Sequence, residues 1–445
     1  MSKFLRYTVP SVMGCLVTSL YLVVDGVFIA RGVGEAAVAG VTLVLPLTMA
    51  FVALSMIFSV GGGNLVSISR GAGDEPRAVN VFRESICMLL SIGVLFSVLG
   101  TLFAEETAIA LGARGELIPL AAEYTRYYML FTVPVLLAIA LSTFIRHDGS
   151  PKLSMRSMLY GAITNIVLDY VFVFPLQMGL RGAAIASGLG QIVTVATCMR
   201  HFAERRGILR IGRASFRQED IMEIFALGFP SFLTEVSYSV MMYLHNLVVI
   251  RQVGEIGVTA YGIVNYINNL SYMALFGIGQ GIQPVVSYYY GRGKFSKARE
   301  QYVYGIKASL VMSVLFLVVC LFAGRPLIMI FASSREVIDL SYTILTYLNL
   351  AYILLGVNLT TQMYLQSMHM PRYANIICFL RGFVFVKIGL ALLPHAFGDA
   401  GIWGTLMFAE GMSLIVARVL ARTRTKPKQY PSPIKQSHAD QISQP

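Results

Sequence analysis

Apolar runs of about twenty residues recur along the chain, separated by short polar or glycine-containing stretches. Twelve can be marked, at 8–30, 38–62, 85–104, 118–144, 155–175, 182–202, 222–250, 257–288, 306–323, 338–365, 373–393 and 400–420. A helix of that length, rising about 1.5 Å per residue, crosses a hydrocarbon core of about 30 Å. The ten-residue alternation of a membrane β-barrel is not the pattern here. Lys3 and Arg6 precede the first run, as in a signal peptide, but the run continues past Asp25 to Ala30 without a convincing cleavage site. It reads as an uncleaved first span.

The pattern repeats at an offset of 220 residues. Pro10-Ser11 matches Pro230-Ser231, Ser19 matches Ser239, Arg31 matches Arg251, and Val33-Gly34-Glu35 matches Val253-Gly254-Glu255. The match runs on without a gap through Gly61/Gly281, Gly71/Gly291, Gly73/Gly293, Ala78/Ala298 and Pro151/Pro371. Six spans per repeat return the chain to the same side, so the repeats are parallel, a common transporter plan. The expected fold is an all-α integral membrane protein: twelve transmembrane helices in two parallel-repeat six-helix bundles. The expected boundaries are an N-lobe at 1–202, a cytoplasmic linker at 203–221, a C-lobe at 222–421 and a disordered cytoplasmic tail at 422–445.

Composition agrees with this pattern. Of 445 residues 56% are hydrophobic and 13% charged, about half the charge of a soluble domain. The mean hydropathy is +0.68. A soluble enzyme, a disordered chain and a secreted disulfide scaffold are all disfavoured. The net charge of +12 invites a nucleic-acid reading, but the basic residues are sorted by side. With a cytoplasmic N-terminus, the outer loops hold only Arg31, Arg114, Arg181, Arg251, Arg325 and Arg335, and Arg126, Arg381 and Lys387 fall within spans. The other 26 of the 35 basic residues lie on the inner side, the positive-inside signature. The expectation is a multi-pass protein of the plasma (inner) membrane, both termini cytoplasmic, binding no nucleic acid. Cys15, Cys87, Cys198, Cys320 and Cys378 are odd in number and lack CxxC spacing, and read as buried hydrophobes.

Acidic residues within spans carry the most chemical information. Asp25, Asp169, Glu235 and Glu410 each cost about 2.5–3.5 kcal/mol near a helix centre, so each should face a cavity or a partner. At about 1.5 Å per residue, Asp25 lies roughly 25 Å along span 1, Asp169 about 21 Å along span 5, and Ser187 and Tyr124 about 10 Å inside the outer ends of spans 6 and 4. These depths agree. Asn165 and Asp169, four residues apart, share a helix face. Two carboxyls, an amide and hydroxyls at one level suit a proton or a small hard cation. The competing reading is a set of separate hydrogen bonds to neighbouring helices.

Pro10-Ser11, Tyr21-x-x-x-Asp25-x-x-Phe28-Ile29, Asn165-x-x-x-Asp169-Tyr170-x-Phe172 and Gly182-Ala183-Ala184-x-Ala186-Ser187 resemble the multidrug and toxic-compound extrusion (MATE) family, most closely its DinF-like branch. The resemblance covers the chain to about residue 420. It implies a pair of six-helix bundles that opens alternately to either side, and a cation site in the N-lobe. By position, Asp25, Asn165 and Asp169 would bind H⁺ or Na⁺ through side-chain oxygens, Ser187 would supply a hydroxyl where the family often has Thr, Ala183 would offer its carbonyl, and Tyr124 would sit beside them. Pro10 matches the proline at which the family's first helix bends.

The second repeat departs from the first. His245 replaces Asp25, and Phe385 and Gly389 stand near the places of Asn165 and Asp169. Glu235 sits where a NorM-like branch keeps a cation-binding acid; here it is read either as attracting a cationic drug or as neutral and hydrogen-bonded. The candidate substrate cavity comprises Glu235, Tyr238, Asn265, Asn268, Tyr272, Gln283 and Asn358, with methionines and aromatic faces lending adaptability. His245 reads as structural rather than as a relay, and Arg381 with Glu410 as a structural pair. The glycines at 61–63 and at 277, 279 and 281 read as close-packing positions. The expected function is a cation-coupled antiporter of cationic or amphipathic small molecules, not an enzyme, a lipid-embedded monomer, with no cofactor beyond H⁺ or Na⁺ as coupling ion. The alternative is a lipid-linked precursor flippase of the same superfamily.

Overall fold

The computed structural model describes residues 1–422, and the tail expected at 422–445 lies almost wholly outside the described residues. The first half contains α1 (Ser2–Gly32), α2 (Glu35–Ala72), α3 (Glu75–Leu102), a short α4 (Ala104–Ala110), α5 (Leu117–Leu130), α6 (Thr132–His147), α7 (Pro151–Val173) and α8 (Gly179–Ala203). The second half contains α9 (Gln218–Gln252), α10 (Glu255–Gly291), α11 (Phe295–Met329), α12 (Arg335–Ser367), α13 (Pro371–Phe379), a π-helical turn at Leu380–Phe385, α14 (Val386–Phe397) and α15 (Asp399–Arg422).

These helices account for the twelve apolar runs. Nine are long and apolar enough to cross a bilayer, with α13 to α14 counted as one, and the α5–α6 pair, bent by 52°, makes a tenth. α7 and α10 complete the twelve. Both are diluted by polar residues, Asn165 and Asp169 in α7 and Asn265, Asn268, Asn269, Gln280 and Gln283 in α10.

The 220-residue offset governs the helix boundaries. α2 and α10 start at Glu35 and Glu255, α3 and α11 at Glu75 and Phe295, α7 and α13 at Pro151 and Pro371, α8 and α15 at Gly179 and Asp399. The turns repeat too. Gly34 and Gly254 have φ of 116° and 83°, and Gly73 and Gly293 have φ of 87° and 67°, backbone that glycine adopts without steric penalty. Proline opens α7 and α13, where its missing N–H would have no helical acceptor.

Among the described residues the chain divides into two compact units, one of Leu16–Phe232 and one of Met1–Cys15 with 233–422. The division falls inside α1 and α9. In the first, α7 packs along α8, and α2 packs against α3, α5 and α6. Gly61 of α2 faces Gly228 of α9 so closely that a Cβ on Gly61 would lie 2.8 Å from the Gly228 nitrogen. In the second unit α10 packs against α11 and α12, and α12 against α15. Here Gly277 of α10 meets the start of α1, and a Cβ on it would lie 2.7 Å from Val12 Cα. Of the glycines read from the sequence as close-packing positions, Gly61, Gly277 and Gly281 meet backbone, whereas Gly62, Gly63 and Gly279 face the side chains of Ser85, His147 and Met363.

Candidate functional site

In the first unit, α1, α5, α7 and α8 bring a polar cluster together. The Asp25 and Asp169 carboxyls lie within hydrogen-bonding reach of each other. Asp169 is fully buried, and Asn165 and Tyr124 are nearly so. Asn165 Nδ2 donates to Ser187 Oγ at 3.2 Å, which leaves the Asn165 carbonyl oxygen free. Ala183 is buried one turn before Ser187, and Tyr124 lies within electrostatic range of both carboxyls. The structure therefore groups Asp25, Asn165, Asp169, Ser187 and Tyr124, with Ala183 on the adjoining turn.

Asp25 Oδ1, both Asp169 oxygens and Asn165 Oδ1 are buried without a well-formed hydrogen bond among the described residues, and the Asn165 amide is the nearby donor that Asp169 senses. Neither carboxyl forms an ion pair with a described Lys, Arg or His. A set of buried acceptors with two acidic groups in contact fits a proton, which one carboxyl can share with the other, or a small cation held by oxygens.

The cluster is wider than the sequence reading. Tyr21, one turn before Asp25, is within electrostatic range of it and hydrogen-bonds Gln191. Tyr128 stacks on Tyr124 at 5.8 Å between ring centroids and also senses Asp25 and Tyr21. The available signal was the spacing. Tyr21/Asp25, Tyr124/Tyr128, Asn165/Asp169 and Ser187/Gln191 are all polar pairs four residues apart, each pair on one helix face.

The second unit holds a different site. A cavity of about 30 Å³ is lined by Tyr238, Met241, Tyr272, Tyr352, Arg381 and Glu410, among others. That is room for one or two waters. Tyr238 and Tyr272 stack at 5.1 Å, and Glu235, one turn before Tyr238, lies within electrostatic range of both rings. Arg381 is carried by the π-helical turn, and its Nε is 3.9 Å from Glu410 Oε1. Asn358 Nδ2 donates to Glu410 Oε2 at 2.6 Å. Arg381 Nη1 and the Tyr272 hydroxyl are buried with no hydrogen-bond partner among the described residues.

Of the residues read as a substrate cavity, Tyr238 and Tyr272 line this space, and Asn358 adjoins it through Glu410. Asn265, Asn268 and Gln283 lie elsewhere: Asn265 donates to its own helix at Tyr261 O, Asn268 Oδ1 accepts from Asn349, and Gln283 donates to Gln366. His245 is buried, with Nδ1 3.0 Å from Met241 O and its ring stacked on Tyr261.

Comparison with known proteins agrees with this architecture. The MatE family pattern matches residues 10–171 and again 230–388, two segments whose starts are displaced by the same 220 residues. The multidrug export protein MepA of Staphylococcus saprophyticus is 27% identical over 423 residues, 94% of this chain and 92% of its own. Its counterpart from Staphylococcus aureus is 25% identical with the same coverage. Among solved structures, the outward-facing form of a multidrug resistance MATE family transporter of the MOP superfamily superposes with a TM-score of 0.90 at 25% identity. A MOP superfamily transporter from Pyrococcus furiosus, described as having a binding pocket of reverse polarity, gives 0.88 at 26%. Each covers 95% of both chains.

Proposed function

Because the chain belongs to the MatE family of multi-pass membrane transporters, we propose that it is a cation-coupled antiporter that exports amphipathic or cationic small molecules by alternating access. The observation that carries this reading is the close pair of carboxyls, half-buried Asp25 and buried Asp169, neither of which meets a described countercharge. H⁺ or Na⁺ is the coupling ion, held by Asp25, Asp169, Asn165 Oδ1 and Ser187, with the Ala183 carbonyl one turn away. The relatives named as multidrug export proteins support drugs as the cargo class. The one-sided excess of basic residues supports a reading with both termini on the cytoplasmic side of the cell membrane.

The mechanism is thermodynamic linkage. The ion favours one state of the transporter and the cargo another, so each lowers the other's apparent affinity by the same factor. Neutralising the carboxyl pair removes buried charge, which permits α1 to rearrange at Pro10. There a missing N–H leaves the Arg6 carbonyl without its helical donor. Cargo is recognised by stacked aromatic faces and the Glu235 carboxyl in the second unit. The flippase alternative needs a strongly cationic interior. The in-span bases are Arg126, Arg381 and Lys387, and Arg381 already faces Glu410.

The test is export of a fluorescent cationic dye from liposomes that hold the purified protein, under a pH gradient or a Na⁺ gradient alone. Export driven by pH only makes the carboxyl pair a proton carrier. Export driven by Na⁺ at constant pH makes the oxygen cluster a coordination shell. Failure under both gradients, with folded protein present, would sink the antiport reading.

A further inference from the structure

Residues 205–217 join the two repeats and contain Arg205, Arg206, Arg210, Arg213 and Arg217 with no acidic residue. The segment is held as a rigid frame through its backbone. Asp148, fully buried at the end of α6, accepts from the N–H groups of Ile208 at 3.0 Å and Leu209 at 3.1 Å. Its carboxylate is itself fixed by His201 Nε2 at 2.8 Å and Arg70 Nη1 at 3.3 Å. Asn80 accepts from Ser215 N at 2.9 Å and donates to Ser215 O at 2.8 Å. Arg83 Nε donates to Arg210 O at 3.0 Å, and Glu84 accepts from Arg217 N at 2.8 Å. Gly212 lies against the Arg83 guanidinium, where a Cβ would sit 2.9 Å from Nη2.

With the backbone fixed inward, selected side chains are left outward. Ile211 and Phe216 are 56% and 57% exposed. Arg205, Arg213 and Arg217 are exposed beside them, and among the described residues their guanidinium groups form no hydrogen bond or ion pair. Arg217 alone has an electrostatic partner, Glu84. The other two arginines are engaged: Arg206 pairs with Glu204, and Arg210 Nη1 donates to the carbonyls of Gly207 and Leu209. Hydrogen bonds from Arg200 and Arg206 hold the Glu204 carboxyl below its ordinary value.

We propose that this segment is a docking surface for anionic phospholipid, with Arg205, Arg213 and Arg217 on headgroup phosphates and Ile211 and Phe216 among the upper acyl carbons. Guanidinium groups bind phosphate oxygens through charged hydrogen bonds. A pair of exposed apolar side chains fixed between such groups matches the boundary layer of a bilayer. A nucleic acid or free phosphate would answer the arginines but offers no apolar phase for Ile211 and Phe216. The proposal does not depend on the coupling ion or the cargo.

The chain has one tryptophan, the buried Trp403, so Trp403→Phe with Phe216→Trp gives a single reporter on the segment. In liposomes of full-length protein, phosphatidylglycerol brominated on its acyl chains should quench this reporter at least twofold more than brominated phosphatidylcholine at equal mole fraction. Adding Arg205→Gln, Arg213→Gln and Arg217→Gln should bring the two lipids level. Millimolar glycerophosphate should leave the quenching unchanged. A second measurement keeps the native Phe216. Phosphatidylglycerol added to detergent-solubilised protein should raise Tm by several degrees, and should not do so in the triple-arginine variant or in Ile211→Ser/Phe216→Ser. Equal quenching by both lipids, a preference that survives the triple substitution, loss of quenching with glycerophosphate, or the same Tm rise in every variant would each overturn the proposal.

Discussion

Arg381 and Glu410 show how a residue's neighbours set its energetic role. Both are buried, 3.9 Å apart, and Asn358 completes the Glu410 side. Removing one member leaves an uncompensated charge in an apolar interior, whereas neutralising both does not. Arg381→Gln or Glu410→Gln alone should destabilise the protein by about 3–5 kcal/mol, and the double variant should recover much of that loss. Thermal unfolding of the purified protein in detergent checks this, and equal melting of all three would contradict it. At the carboxyl cluster, the proposed coupling predicts that Asp25→Asn leaves folding intact but lowers gradient-driven dye export at least about tenfold, a loss of ~1.4 kcal/mol or more of coupling. Full export at matched protein levels would remove Asp25 from the mechanism. The four in-span acids could be picked out from sequence because charge is rare in an apolar run. Tyr21, Tyr128 and Gln191 carried only the weaker signal of four-residue spacing, since a tyrosine or glutamine in a membrane helix is common and proximity to Asp25 gives it meaning.

At the scale of elements, the helices follow from length and apolarity, and their ends from glycine and proline. The matched starts at Pro151 and Pro371 and the matched turns at Gly73 and Gly293 are local chemistry, which is why they could be read. The bend between α5 and α6 and the π-helical turn at Leu380–Phe385 could not. The chain at the position equivalent to the bend, in α12, is unbroken, and α7, equivalent to α13 and α14, carries no π turn. Such irregularities are set by what packs alongside. The π turn places Arg381 in the cavity wall, consistent with the frequency of such turns at functional sites. The glycine crossings are testable. Gly277→Val forces a side chain into the Val12 backbone and should destabilise by about 1–3 kcal/mol, read as lower Tm and loss of a monodisperse peak in size-exclusion chromatography. Gly262→Ala, with open space around its Cβ, should change neither.

On the scale of the whole molecule, the two repeats share boundaries and differ in chemistry. The first unit holds a close pair of carboxyls, and the second a small cavity of stacked tyrosines with a loose Arg–Glu pair. The proposed antiport, if proton-driven, has a definite sign of pH effect. Protons entering as cargo leaves should make export rise as the cargo-receiving side is acidified, and Asp25→Asn/Asp169→Asn should flatten that dependence. Liposome transport at a series of imposed pH gradients measures it, and an unchanged profile in the double variant would place proton coupling elsewhere. By itself the sequence determined the membrane class, the number of spans, the parallel repeat and the level at which Asp25, Asn165, Asp169 and Ser187 lie, because hydrophobic length, residue period and the cost of buried charge act locally along the chain. Only the tertiary structure decided which polar residues meet. It joined Tyr21 and Gln191 to the carboxyl pair, separated Asn265, Asn268 and Gln283 from the cavity, and fixed residues 205–217 on Asp148 and Asn80. Those meetings depend on how one helix is rotated and packed against another, which sequence spacing alone does not specify.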